Sequence, residues 1–148
     1  MTVVRIDDIQ NSSMPKPVYA GELLPVFGIK DIMVTANGQP VQFFASNYYC
    51  EINDALEMTG NIIDESGNVA TGISFPLTVK IPLVKHANGL PVANEIYMKV
   101  SIIAGVITVS GEIRESGDWK ILIDRANQAV LRIGAKFKFA AEDITFLV

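Results

Sequence analysis

The strongest constraint on the fold of this chain is the alternation of apolar and polar residues in its central part. Large apolar side chains occupy nearly every second position of residues 77–84, 95–103 and 106–113. A period of two is typical of strands that bury one face. Asn88-Gly89 and Ala104-Gly105 separate the three runs, and glycine there supplies the positive φ of a tight hairpin turn. The centre of the chain is therefore predicted to be an antiparallel sheet.

Further strand-like runs flank this central sheet. Residues 29–36 and 41–49 are predicted as two strands around an Asn37-Gly38 turn, and the second strand is rich in aromatic residues. Residues 136–139 and 143–148 are predicted as two more, and the apolar run 143–148 is expected to be tied into a sheet or a subunit contact. Short strands with glycine and asparagine turns are typical of sandwiches and barrels. The predicted fold class is mainly β, an antiparallel β-sandwich or jelly-roll-like domain.

A change of period in the C-terminal third predicts one short helix. Trp119 begins a further strand, Asp124 is then placed to cap a helix N-terminus, and Gly134 is placed to end the helix. Between the last two, the apolar positions follow the spacing i, i+3, i+4, i+7: Ala126, Ala129, Val130 and Ile133. Two other segments are irregular. Residues 51–58 fit a short helix or a strand, and Pro82 predicts an edge strand because proline cannot donate to a ladder.

Residues 1–25 differ in composition from the rest of the chain. Pro15, Pro17 and Pro25 punctuate this stretch, and each proline favours extended backbone in the residue before it. We predict an extended N-terminal arm over residues 1–25 and a β-sandwich domain over residues 26–148. The composition of the arm fits a plain tether and an arm that docks on a neighbouring subunit equally well.

Composition narrows the classes of partner. Of the 148 residues, 49% are apolar and only 19% are charged, and the mean hydropathy is +0.31. Strands buried on both faces would account for this excess, but apolar surface kept for a partner is favoured. The net charge of −4 argues against nucleic acid as a partner. Neither a membrane nor secretion is expected, since no apolar run is long enough to span a bilayer and the N-terminus lacks a signal-like pattern.

No constellation of residues points to catalysis, a metal or a cofactor. His86 is the only histidine, lies beside the Asn88-Gly89 turn and is expected to be solvent-exposed without a special role. Cys50 has no basic neighbour and is interpreted as a buried structural thiol, with a nucleophile as the alternative. Residues 64–68 alternate oxygen side chains, but the rest of the EF-hand pattern is missing, and turn chemistry explains them. We therefore expect a protein that is not an enzyme and holds no cofactor.

Aromatic residues are the candidates for a binding surface. Alternation places Phe43 and Phe44 on opposite faces of their strand, so one of the two is expected to point away from the core. Six aromatic residues are candidates either for a platform that binds a carbohydrate or a protein, or for packing in the core: Phe43, Phe44, Tyr48, Tyr49, Tyr97 and Trp119.

The last stretch of the sequence carries a family resemblance. The run GDWKILIDRANQAVLRIG, followed by FKF and DITFLV, resembles the closing segment of phage tail and virion structural proteins. In those proteins an aromatic strand, an R-x-N-x-x-x-L helix and a final apolar strand recur, and here Trp119, Arg125, Asn127 and Leu131 occupy these positions. The resemblance implies a non-enzymatic structural component of a phage particle, in the tail, the baseplate or a head decoration. Such a protein would be assembled in the host cytoplasm and located in the virion.

The partners expected from this interpretation are further copies of the chain and other virion proteins. The residues chosen as candidate partner contacts are aromatic, apolar or proline: Pro15, Pro17, Tyr19, Phe44, Tyr97, Phe146 and Val148. The alternative function is a β-sandwich module that binds a carbohydrate or a protein through exposed aromatic side chains.

Overall fold

The computed structural model describes residues 24–148, with the exception of the side chains of Ala93 and Asn94. Within this range the chain forms eleven strands and one helix, so the mainly β class with one short C-terminal helix is confirmed. The predicted arm lies outside the described residues, apart from its last two positions. Three candidate partner contacts lie outside them as well: Pro15, Pro17 and Tyr19.

The described strands form one large mixed sheet that is nearly closed into a barrel-like shape. The elements in chain order are β1 (Val26–Ala36), β2 (Gln39–Pro40), β3 (Gln42–Phe44), β4 (Asn47–Tyr49), β5 (Leu56–Ile63), β6 (Val79–Ala87), β7 (Leu90–Ile103), β8 (Val106–Gly111), β9 (Asp118–Ile121), α1 (Ile123–Arg132), β10 (Lys138–Phe139) and β11 (Ile144–Leu147). The strand order is β10-β1-β5-β8-β7-β6-β9-β11-β4-β3, and β2 pairs with β1. Pairing is antiparallel except between β10 and β1 and between β11 and β4.

The two ends of the sheet meet where β2 pairs with β1, but β3 and β1 are not paired. After the Asn37-Gly38 turn, β2 runs back along β1, and the Val41 N–H donates to the Val34 carbonyl over 3.2 Å. Beyond this bond no described backbone hydrogen bond joins β3 to β1. β1 itself bulges between Lys30 and Met33. A bulge bends its strand locally. We call the unpaired boundary between β1 and β3 the seam.

The core fills the inside of the sheet, as the alternation predicts. The largest fully buried side chains come from several strands, from the loop after β8 and from α1: Trp119, Phe146, Ile62, Leu83, Met98, Ile102, Ile113 and Val130. α1 packs against β6 and β10. A cavity of about 40 Å³ remains and is lined by apolar side chains such as Met58 and Val130. It is far smaller than the roughly 300–1,000 Å³ of a ligand pocket.

At the two ends of α1, the predicted N-terminal cap is wrong and the predicted C-terminal glycine is confirmed. Asp124 does not cap the helix, because the helix begins one residue earlier, at Ile123, and Asp124 lies inside its first turn. The Ile123 N–H is instead satisfied by the carboxylate of Asp143, which accepts over 2.9 Å. Gly134 follows the helix with φ of +97°, as expected for a C′ glycine, and its N–H donates to the Leu131 carbonyl over 3.0 Å.

Two strand predictions need correction, and the ambiguous segment 51–58 is resolved. Residues 41–49 are not one strand but the hairpin of β3 and β4, because Ala45 and Ser46 form a turn between them. Residues 51–58 contain a turn and then the start of β5. β6 is not an edge strand, since it lies between β7 and β9. β9 pairs with β6 only from Val84 to His86, however, so Pro82 lies where that side of β6 has no strand partner.

The apolar run at residues 143–148 is tied into the sheet, as predicted. β11 lies between β9, with which it pairs antiparallel, and β4, with which it pairs parallel. The Val148 N–H donates to the Gly117 carbonyl over 3.0 Å, and the Gly117 N–H donates back to Val148 over 2.9 Å. This strand therefore stabilises the sheet from within.

Candidate subunit interface at the β3–β4 hairpin

Two of the three most exposed aromatic side chains among the described residues belong to the hairpin of β3 and β4, which we call the aromatic hairpin (residues 42–49). Phe43 is 57% exposed and Phe44 is 65% exposed, although the two rings lie on opposite faces of β3. Tyr49 adds a third ring on the Phe44 side. Only one of the two phenylalanines was expected to point away from the core. Both are exposed because β3 is the last strand of the sheet and borders the seam.

The aromatic hairpin is anchored to the core through one of its faces. The Phe43 ring packs on Tyr48, with centroids 4.5 Å apart, and Tyr48 packs on the buried Phe146, with centroids 5.9 Å apart. Burial raises the pKa of the Tyr48 phenol. The register of the strands places these three residues side by side across β3, β4 and β11. The hairpin therefore has a defined position while its outer rings stay accessible.

The turn of the aromatic hairpin is strained. Ala45 and Ser46 have φ of 52° and 66°, a region that costs residues with a Cβ roughly 1–2 kcal/mol each. The other two-residue turns of the sheet relieve this strain with a glycine in second place: Gly38, Gly89 and Gly105. Local strain persists where the surrounding structure holds it, and it concentrates at functional sites.

The aromatic hairpin also lacks the charges that usually protect the edge of a sheet. No residue from Ile32 to Cys50 is charged, although the chain as a whole has a net charge of −4. Edge strands of natural proteins commonly carry lysine or other charged residues that prevent pairing with another chain. This uncharged run is visible in the sequence and is the signal that sequence reasoning missed.

The backbone of β3 offers one free donor and one free acceptor. Because the turn contains two residues, Phe44 and Asn47 form the hydrogen-bonded pair that closes the hairpin. The N–H and C=O of Phe43 consequently point to the outer edge of β3. No described backbone hydrogen bond reaches them. An uncharged edge with exposed rings on both faces can thus bind a strand or an apolar surface of another molecule.

Cys50 lies at the base of the aromatic hairpin, where its N–H donates to the Leu147 carbonyl over 2.9 Å. Its side chain is half-buried, and burial, with a smaller effect of Asp54, raises the pKa of the thiol from 9.0 to about 11. The reactive species of a cysteine is the thiolate. Because a thiol with this pKa is almost entirely protonated at neutral pH, Cys50 is unsuited to act as a nucleophile.

We expect Cys50 to react with iodoacetamide about 100-fold more slowly at neutral pH than an unperturbed thiol, because two pKa units reduce the thiolate fraction by that factor. The rate should keep rising with pH up to about 11. Since the pKa of the folded state exceeds the unfolded value, this thiol also lowers stability as the pH rises from 9.0 towards 11. The measurement is mass-detected alkylation, with the urea-unfolded chain as the control. Equal rates for folded and unfolded chains would contradict the prediction.

The other aromatic candidates are not part of this surface. Tyr97 is 59% exposed on β7, but four strands separate β7 from β3, so Phe44 and Tyr97 lie apart. Trp119 is 1% exposed, and its indole N–H donates to the Glu115 carbonyl over 2.9 Å. Phe146 is also 1% exposed and belongs to the core, which corrects its place among the candidate partner contacts. Both rings were candidates because sequence alternation does not tell the inside of a sheet from its outside.

The titratable candidates are accounted for by the fold. His86 is buried rather than exposed, because β6 continues to Ala87, and its Nδ1 lies 3.2 Å from the Val84 carbonyl. The Asp64 carboxylate accepts from the N–H groups of Ser66 and Asn68, which is the predicted turn chemistry. Within residues 24–148, no three His, Cys, Asp or Glu side chains are grouped as metal ligands.

The aromatic hairpin offers exposed aromatic rings and free backbone hydrogen-bonding groups, which suit binding to another molecule. None of the helices in residues 24–148 combines the length and apolar character needed to cross a membrane. Comparison of the chain with protein-family models, with curated proteins and with solved structures finds no match. The geometry of the hairpin is therefore the main guide to function.

Proposed function

We propose that this protein is a non-enzymatic structural component of a phage particle that self-associates through the aromatic hairpin. The observation that carries the self-association is the exposure of Phe43 and Phe44 on both faces of an uncharged strand at the edge of the sheet. Burying a phenylalanine side chain contributes about 1.5–3 kcal/mol, so the two rings together contribute about 3–6 kcal/mol towards association. A second copy of an acidic chain can approach this uncharged surface without repulsion between like charges.

The phage setting rests on the resemblance of the last stretch of the chain to tail and virion proteins. The residues of that pattern have structural contacts here, which suits a protein whose role is architecture. Arg125 binds Glu95 over 2.8 Å, and Asn127 hydrogen-bonds both backbone groups of Phe139. We place the protein in the tail, the baseplate or a head decoration, with other virion proteins as further partners.

The test is the mass in solution of three purified chains, measured by light scattering on a sizing column. We expect the natural chain to be an oligomer and Phe43→Ser/Phe44→Ser to dissociate at least about 100-fold more readily, since two buried rings are lost. The matched control is Leu90→Ser/Ile103→Ser, which removes two equally exposed apolar side chains elsewhere, each 67% exposed. A monomeric natural chain at high concentration would contradict the proposal. So would equal weakening by both double variants.

A second function, a carbohydrate- or protein-binding module, is favoured by one observation. On the Phe44 side of the hairpin, Gln42 lies directly opposite Tyr49, so an amide and a phenol stand beside exposed rings. Rings with adjacent polar groups are suited to sugars. Binding of the chain to an immobilised glycan panel, with Phe44→Ala as the control, separates the two functions. Saturable binding that Phe44→Ala abolishes would favour the module, and its absence would favour the structural protein.

A further inference from the structure

An apolar groove lies at the end of the sheet that α1 covers. Residues 74–79, which lead into β6, form one wall, and residues 133–135, which follow α1, form the other. The volume between them is about 370 Å³. Leu77 is 75% exposed and Ile133 is 52% exposed, and they flank the groove from opposite sides. Two large apolar side chains at the mouth of one groove are expected to be covered by a ligand or a chain segment.

The base of the groove is held in place before anything binds. The Phe75 N–H donates to the Ile102 carbonyl over 2.8 Å, and the Phe75 ring stacks on Phe137 with centroids 5.9 Å apart. The Ser74 hydroxyl accepts from the Ala104 N–H over 2.8 Å. A preformed site needs little ordering when it binds, which favours affinity.

The direction of the chain at Leu24 points to this groove. β1 and β10 pair parallel, with Val26 opposite Lys138, and the Lys138 N–H donates to the Pro25 carbonyl over 3.1 Å. In a parallel pair both strands run in the same direction, so the residue before one partner lies beside the residue before the other. Leu24 and Pro25 therefore run beside Lys136 and Phe137, and Ala135, the next residue on that side, lines the groove.

The sequence before Leu24 has the chemistry that this groove would take. Apart from Lys16, residues 15–19 are apolar or aromatic, and Pro15 and Pro17 favour extended or polyproline geometry. Proline-rich segments in this geometry dock in apolar grooves that contain aromatic side chains, and Phe75 supplies one here. Tyr19 lies five positions before Leu24, and five residue steps span at most about 17 Å, which is enough to enter a groove that begins beside the chain.

We propose that residues 15–19 bind in the groove of their own chain, with Val18 and Tyr19 covering Leu77 and Ile133. A segment tethered this close has a millimolar effective concentration, so it occupies the groove ahead of the same segment from another copy. The groove and the aromatic hairpin are separate sites, and this binding does not depend on the proposed function. The segment thereby contributes to the fold of the sheet and is not a free tether.

Crosslinking in the full chain tests the proposal. In a Cys50→Ala background, Tyr19→Cys is combined either with Leu77→Cys or with Leu90→Cys, and a short bifunctional maleimide is added. Leu90 is similarly exposed but follows the far end of β6, whose nine residues span roughly 30 Å. We expect an intramolecular crosslink with Leu77→Cys at least about tenfold faster than with Leu90→Cys. Equal rates would overturn the proposal. Crosslinked dimers would overturn it too, since a second copy would then fill the groove.

Proteolysis gives a second readout without cysteines. Chymotrypsin cleaves after Tyr19, and a docked segment is protected from it. We expect Leu77→Asp to accelerate this cleavage by about tenfold, because a charge at the mouth of the groove opposes an apolar ligand. Leu90→Asp, the matched control, should leave the rate unchanged. Cleavage is followed by intact mass of the full chain, and an unchanged rate in Leu77→Asp would overturn the proposal.

Discussion

Replacing Gly105 with alanine is expected to destabilise the protein by at least about 3 kcal/mol, or to prevent its folding. Gly105 has φ of +80°, and a Cβ on it would lie 2.6 Å from the Ala70 carbonyl oxygen. The neighbouring segment cannot move away at low cost. The Gly105 N–H donates to the Ile73 carbonyl over 2.8 Å, and its carbonyl accepts from the Ile62 N–H over 2.7 Å. An added methyl group must break these bonds or overlap the backbone.

The control for this variant is Gly89→Ala, which separates the conformational cost from the steric one. Gly89 has nearly the same φ, +77°, but a Cβ there would meet no atom within 4 Å. Its replacement should cost only about 1–2 kcal/mol, the price of a left-handed residue with a side chain. The measurement is urea unfolding of both variants and the natural chain. Similar losses for the two variants would show that the close approach at Ala70 contributes nothing.

Replacing Asn127 with alanine is expected to cost about 3 kcal/mol, because two backbone groups of a buried strand lose their partners at once. The Asn127 amide donates to the Phe139 carbonyl over 3.0 Å, and its oxygen accepts from the Phe139 N–H over 2.8 Å. One side chain thus takes the place of a neighbouring strand for β10. Phe139 is buried, so water does not readily replace these bonds.

Gln128→Ala is the matched control for Asn127→Ala. Gln128 is the next residue of the same helix, but it is exposed, and its replacement should change the free energy of unfolding by no more than about 0.5 kcal/mol. Thermal or urea unfolding of both variants gives the comparison. If Asn127→Ala were as stable as Gln128→Ala, the hydrogen bonds to Phe139 would not be a source of stability.

Local sequence patterns predicted most strands and turns of the sheet. They failed where contacts between residues distant in sequence determine the local structure. The strands around Asn88-Gly89 and Ala104-Gly105 follow from alternation and turn chemistry, which act over a few residues. The hairpin turn at Ala45-Ser46 was missed because neither residue is a usual turn former at positive φ. The helix cap was assigned to Asp124, whereas Asp143 supplies it from beyond the helix.

The candidate site was predictable in part. Alternation gave the opposite orientation of Phe43 and Phe44, and the absence of charge around them could be read from the sequence. The exposure of both rings could not be predicted from the sequence, because it depends on which strand lies at the edge of the sheet. Strand order follows from long-range pairing, and the same alternation fits several orders. For the same reason, the burial of Trp119 and of His86 became clear only in the folded chain.

The parallel pairing of β4 with β11 has a consequence for the order of folding. The two strands lie roughly 100 residues apart in sequence, and β11 joins the aromatic hairpin to the rest of the sheet. Contacts of such separation form slowly, because the intervening chain must be ordered before they contribute. We expect the hairpin to dock late, after β5 to β9 have assembled. A surface that takes shape only in the completed sheet keeps partly folded chains from assembling with one another too early.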